Sequence, residues 1–218
     1  MSTVSQHPEI APELRREAAE GMITIGAELH RRGWSLATSS NYSVRLSNDP
    51  VRLLVTASGK DKGALNADDF ALLDDQGQPV EPGSPKSSAE TMLHVVLVRE
   101  AGAGAVLHTH SMWGTLLSDR FADQDALTIS GYEMLKALPG INTHESSVSL
   151  PIFPNTQDID ALSRELSAKI AEGQPIHGFL IQKHGLYTWG DSLADARRHL
   201  EAIEFLMECE GRRVFASH

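Results

Sequence analysis

Only one cysteine, Cys209, occurs in the 218 residues. That excludes an internal disulfide framework and a closed thiolate zinc site, and it suits a reducing compartment. Long apolar runs are missing too: no stretch approaches the roughly 18 to 20 apolar residues of a membrane-spanning helix. Neither end carries a basic region followed by an apolar run and a small-residue cleavage site. A soluble, cytoplasmic protein is expected. Positive charge is scarce, with 19 Lys and Arg against 29 Asp and Glu and a formal net charge of -10. This argues against a broad nucleic-acid or anionic-membrane surface. It leaves room for a single phosphate group, which backbone N–H groups, hydroxyls and one or two cations can hold. Internal repeats, low-complexity tracts and linkers are also absent.

What is present is enough apolar residue, 41% of the chain beside 22% charged, to bury the core of one large domain. The weak periodicity and Pro8 of residues 1–10 read as a flexible lead-in, and residues 11–218 as one catalytic domain. Apolar Leu14, Ala18, Met22, Ile25 and Leu29 recur at helical spacing, and Gly33 follows as a stop. Short β-prone pieces at 42–46, 52–56 and 70–73, separated by turn-rich segments, predict an antiparallel meander. A helix is expected over 88–99, with Ser87 or Ser88 as N-cap and Glu90 in its first turn. Strands are expected at 105–107, 148–153 and 179–182, and helices at 112–119, 131–138, 158–172 and 193–213. Strands mixed with helices, without strict alternation, indicate an α/β protein: a three-layer α/β/α domain with a mixed, largely antiparallel central sheet.

The most telling feature of the composition is ten histidines. His108 and His110 sit two apart at a strand end, so the two-residue period sends both imidazoles to one side of the backbone, as ligands of one ion require. A third imidazole would complete a catalytic metal site with an open position. His184 also ends an apolar strand, and Gly185 would let the chain turn sharply beside a crowded site. His94, His144 and His177 compete for the same role, while His7, His30, His199 and His218 read as helix-face or terminal residues. His94 lies four residues after Glu90, on one helical face with it. Three clusters suit an anion: residues 38–43 with Ser40, Asn41 and Ser43, residues 56–59 with Ser58 and Gly59, and residues 86–88 with Ser88 opening a helix. Turns and caps are made of the same residue types.

Taken in order, these segments resemble the class II aldolase/adducin family. TSSNYS is similar to its T-x-G-N-x-S, TASG to T-P-S-G, KSSAE to K-P-S-S-E, HTHS to its metal pair and QKHG to its late H-G, over roughly residues 35 to 190. Ser40 stands where the first motif has glycine, Ala57 and Ser87 replace prolines, and Ala89 replaces a serine. The resemblance implies a metalloenzyme with one Zn2+ per chain on His108, His110 and His184. It also implies a small phosphorylated ketose as substrate and a homotetramer with sites between subunits. Iron and manganese remain open as the metal. Three further segments, GYEMLKAL, VSLPIFPNTQDI and LIQKHGLYTWGDSLADARRHLEAIEFL, resemble the branch that dehydrates 5-methylthioribulose 1-phosphate in methionine salvage. In that branch the glutamate matching Glu133 is the acid/base. Glu90 matches the metal-neighbour base of the family's aldolases, which keeps aldol cleavage or 4-epimerisation as an alternative. A non-enzymatic adducin-like interaction domain is the remote one.

Overall fold

A computed structural model describes residues 10–216. The expected lead-in therefore lies, apart from Ile10, outside the described residues. Helix α1 (Pro12–Arg31) has proline in its first turn, where the missing N–H costs nothing. It buries Ala18, Met22, Ile25 and Leu29 and stops before Gly33, whose φ is 75°. Leu14, expected on the buried stripe, is instead exposed.

The chain continues through β1 (Asn41–Asn48), β2 (Val51–Thr56), β3 (Phe70–Leu73), α2 (Thr91–Glu100), β4 (Ala105–Thr109) and α3 (Met112–Arg120). Then come β5 (Ala126–Ser130), β6 (Ser147–Phe153), α4 (Ile159–Ala171), β7 (Gly178–Ile181), β8 (Gly185–Gly190) and α5 (Leu193–Phe215). The strands form one sheet in the order β3-β2-β1-β4-β8-β7-β6-β5. The expected meander is its β3-β2-β1 end, and only β6 and β7 pair in parallel. The α/β class with a mixed, largely antiparallel sheet is thus observed.

Strand parity builds the layers. Leu54, Phe70, Leu72, Ala105 and Leu107 pack on one face with Met22 of α1, Leu117 of α3 and Leu200 and Ile203 of α5. Their neighbours Leu53, Val55, Ala71, Leu73 and Val106 pack on the other with Leu93 and Leu97 of α2 and Leu162 and Leu166 of α4. Alternation along β4 therefore commits His108 to the α2 face and Thr109 to the α5 face.

Three expectations shift. The helix predicted over 88–99 begins at Thr91, and Glu90 occupies the N-cap position without a side-chain cap bond. Ser88 is not the N-cap, although its hydroxyl accepts from the Glu90 N–H at 3.3 Å. The helix predicted over 131–138 is a 3-10 segment, Glu133–Ala137. Strands β5 and β8 were not among the expected strands, and β8 lies in the middle of the sheet.

Candidate active site

His108 is the penultimate residue of β4, and its Nδ1–H donates to the Leu186 carbonyl of β8 at 2.9 Å. That bond puts the proton on Nδ1 and leaves the Nε2 lone pair facing away from the sheet. His110 follows on the same side, its backbone N–H donating to the Trp34 carbonyl at 2.8 Å. His184 arrives from the turn between β7 and β8, where Lys183 takes a φ of 54°. Gly185 is not what bends this chain; a Cβ there would lie 1.9 Å from the Thr109 carbonyl oxygen. Its requirement is close approach, so the expected turning role passes to Lys183.

The three Nε2 atoms converge, at 2.8 Å between His108 and His110, 3.0 Å between His110 and His184, and 3.3 Å between His108 and His184. Burial first, and then the neighbouring imidazoles, hold His108 well below the ordinary histidine range. Burial, reinforced by His184, brings His110 down to about 4. Three imidazole Nε2 atoms meeting at one point form a donor set suited to a divalent cation. Among the described residues, these three are the group that could hold a metal. His144 is exposed beside Glu133, and His177 lines a different cavity, so neither joins them.

An open cavity of about 260 Å³ adjoins the histidines. Ser40, Asn41, Ser58, Gly59, Ser88 and Glu90 line it with His110 and His184, as do Thr38, Ser39, Asn155, Thr156 and Gln157. The separate loops are tied together: Ala57 bridges Ser87, and the Ser58 N–H donates to the Lys86 carbonyl at 2.8 Å. The α2 N-terminus opens on this space, and no lysine or arginine lines it. Hydroxyls, N–H groups and the helix end are therefore its anion-holding chemistry. Ser40 has a φ of 70°, in the left-handed region that costs a side chain roughly 1 to 2 kcal/mol. Glycine at that place in the family motif relieves this strain.

Two expected site residues lie elsewhere. Ser43 is fully buried and does not line the cavity; its hydroxyl meets His94 Nδ1 at 2.8 Å. Parity explains it, since Ser43 and Asn41 share a face but only Asn41 stands at the open strand end. Glu133 is absent from the cavity wall, 70% exposed, and bonded to Lys136 at 2.6 Å with His144 at 3.6 Å. The Lys136 hydrogen bond holds its carboxyl below the usual range. Glu90, by contrast, places Oε1 3.3 Å from His184 Nε2 and Oε2 3.8 Å from His108 Nε2. Tyr187, which the sequence did not single out, stacks on His108 at 3.9 Å and donates to Glu90 Oε2 at 3.3 Å. The β-prone run GLYTWG after His184 was the signal for it. The Asn155 to Gln157 loop had its signal in the resemblance of the VSLPIFPNTQDI segment, although none of its residues was named as a site residue.

The residues matched by the family model for the class II aldolase and adducin N-terminal domain are 20–210. The chain belongs to this family. It is an enzyme, a lyase. It is 48% identical over 194 residues to the methylthioribulose-1-phosphate dehydratase of Marinobacter nauticus, covering 88% of this chain and 92% of that one. To the dehydratase of the same name from Xanthomonas campestris it is 45% identical over 211 residues, covering 96% and 94%. Among solved structures, L-fuculose-1-phosphate aldolase from Thermus thermophilus superposes with a TM-score of 0.72 at 21% identity, over 94% of this chain and 99% of that one. A sugar-phosphate aldolase from Thermotoga maritima gives 0.66 at 19%, over 93% and 97%. At such identities the solved structures share the fold. No described helix is long and apolar enough to cross a membrane.

Beneath the histidines lies a carboxyl that the sequence did not flag. Glu204 of α5 is buried, and its Oε1 accepts from the hydroxyl of Thr109, the residue between His108 and His110, at 2.9 Å. Burial, opposed only in part by the Ser111 and Thr109 hydroxyls, raises it from 4.5 to about 7. A raised carboxyl stabilises the fold below its unfolded value and loses that contribution as pH climbs through the folded one. The stability difference between wild type and Glu204→Gln, followed by urea unfolding from pH 5 to 8, should shift in the variant's favour by on the order of 2 to 3 kcal/mol. A pH-independent difference would mean that Glu204 stays in one protonation state throughout.

Proposed function

We propose that the chain removes water from 5-methylthioribulose 1-phosphate to give 2,3-diketo-5-methylthiopentyl 1-phosphate, a step of methionine salvage in the cytoplasm. The observation that carries the reading is a cluster of three imidazoles beside an anion-suited cavity, in a chain close to half identical to dehydratases of that name. His108, His110 and His184 would hold one zinc through Nε2. When bound, zinc supplies a Lewis acid for the substrate's carbonyl and adjacent hydroxyl oxygens.

The chain's own groups do the rest. Ser40, Asn41, Ser58, Gly59, Ser88 and the α2 N-terminus take the phosphate at one end of the cavity. Glu133 accepts the C3 proton and then delivers it to the C4 hydroxyl, which leaves as water, and the C3–C4 enol so formed ketonises by gaining a proton at C4 and losing its hydroxyl proton. Because Glu133 is exposed and away from its own cavity, we assign it to the site of a neighbouring subunit in a homotetramer. The exposed Met134 beside it suits a contact surface. Lysine release from Glu133 on assembly would free the carboxylate for this work.

One observation favours a second reading. Glu90 is the carboxylate that each chain places beside its own histidines, and aldol cleavage would use it as the base. Product analysis separates the two. Metal-loaded protein given 5-methylthioribulose 1-phosphate should yield, by mass spectrometry, one product lighter by a single water with its carbon chain intact. Two carbon fragments would establish aldol cleavage instead, and an unchanged substrate would remove the dehydratase reading.

A further inference from the structure

From Glu90 and Asn41 at the cavity wall, a row of polar side chains runs into the protein interior. His94, one turn along α2 from Glu90, and Ser43 on β1 are fully buried, and Asn41 at the start of β1 is nearly so. Ser43 Oγ lies 2.8 Å from His94 Nδ1, and His94 Nε2 bonds Asn41 Oδ1. Asn41 Nδ2 donates to Glu90 Oε2 at 3.0 Å, and the Tyr187 hydroxyl donates to the same oxygen. Neither Ser43 nor His94 lines the cavity, so neither touches a substrate held there.

Donor and acceptor capacity sets the direction of this row. A Glu90 carboxylate only accepts, so Asn41 must turn its NH₂ to Glu90 and its carbonyl to His94. That carbonyl also only accepts, which places the His94 proton on Nε2 and leaves Nδ1 to accept from the Ser43 hydroxyl. Burial pulls His94 down to about 3, so the ring stays neutral with a single proton. A reversed Asn41 amide would set its carbonyl against the carboxylate and an NH₂ against the Nε2–H. The ring, in the tautomer Asn41 requires, therefore holds the amide in the orientation that Glu90 sets.

We propose that His94, with Ser43 behind it, is a positioning residue for Glu90. By locking the Asn41 amide it ties down Oε2 and leaves Oε1 directed at the metal histidines, 3.3 Å from His184 Nε2. The inference rests on the reading that Glu90 acts beside the metal in the lyase reaction.

The test uses zinc-loaded enzyme carrying His94→Phe, His94→Gln, Glu90→Ala and the His94→Phe, Glu90→Ala pair. His94→Phe should lower kcat at least about tenfold with KM within about twofold and zinc content unchanged, a split that marks a group acting in the transition state. His94→Gln, whose amide nitrogen can still donate to Asn41, should recover most of that loss. In the Glu90→Ala background, His94→Phe should cost less than about a further twofold, because residues acting through one another are not additive. Equal losses in both backgrounds, or full kcat in His94→Phe, overturn the proposal. If His94→Phe does not fold, His94→Asn, too short to reach Asn41, replaces it and should fall well below His94→Gln; equal rates for those two overturn the proposal.

A readout independent of turnover comes from long-range proton–nitrogen NMR of histidine labelled with nitrogen-15. It should place the His94 proton on Nε2, and a proton on Nδ1 overturns the assignment. Wild-type kcat in Glu90→Ala would remove Glu90 from the reaction and the inference with it. The NMR signature would then persist, so a failure at Glu90 is distinguishable from a failure at His94.

Discussion

His108→Ala, His110→Ala and His184→Ala proteins will each lose bound zinc and nearly all turnover, whereas His94→Gln and His144→Ala proteins will keep about one zinc per chain. The reason is geometric: the first three present their Nε2 atoms to a common point at separations of 2.8 to 3.3 Å. His94 is committed at both ring nitrogens to Ser43 and Asn41, and His144 lies exposed beside Glu133. Losing a Lewis acid forfeits several kcal/mol of charge stabilisation, so turnover should drop at least about 100-fold. Metal analysis of purified variants, with activity measured after zinc is added back, checks this. A His184→Ala protein with full occupancy, beside another single histidine variant that has lost its metal, would show the ligand set to be wrong.

Glu133→Gln will lower turnover by about 10²- to 10⁴-fold, the usual contribution of a general acid/base, without loss of fold or zinc. The substitution keeps size and hydrogen-bonding shape but removes the proton acceptor. Its structural cost is small because the side chain is 70% exposed with only Lys136 and His144 around it, and exposed ion pairs contribute about 0 to 1 kcal/mol. Exchange of the C3 proton with deuterated solvent should slow in parallel. If Glu133 serves a neighbouring subunit, unfolding and refolding Glu133→Gln together with inactive His108→Ala should yield mixed oligomers with activity that neither has alone. Such sites pair intact histidines from one chain with an intact Glu133 from the other. A Glu133→Gln enzyme that still dehydrates at near the wild-type rate would sink the assigned role. A dominant loss in Glu90→Gln instead, with two-fragment products, would transfer the chemistry to Glu90.

The readability of the site varied residue by residue. The pairing of His108 with His110 was legible because two-residue periodicity is a local property of an extended chain, and the two Nε2 atoms meet at the end of β4 although His110 stands one residue past it. His184 could only be ranked against His94, His144 and His177, since all four are histidines near element ends. The antiparallel register of β4 against β8, with His108 opposite Tyr187 and Thr109 opposite Leu186, brings it in. Ser43 read as part of an anion cradle because its neighbours are hydroxyl and amide residues, yet the strand turns it inward to His94. Gly185 was singled out for a sound reason of the wrong kind, conformational freedom where the need was room against a carbonyl.

By itself the sequence determined the α/β class with its meander, the shared side of His108 and His110, and, through the order of its motifs, the family. Those properties are carried by spacing along short stretches, where geometry repeats every two or 3.6 residues. Tertiary structure alone decided which third histidine meets the pair, that Ser43 turns inward to His94, and that Tyr187 stacks on His108 while the buried Glu204 bonds Thr109. It alone also decided that Glu133 stands outside the cavity of its own chain. Each of these depends on which distant segments come together, and that is set by packing the whole sheet between its two helix layers, for which no local period exists.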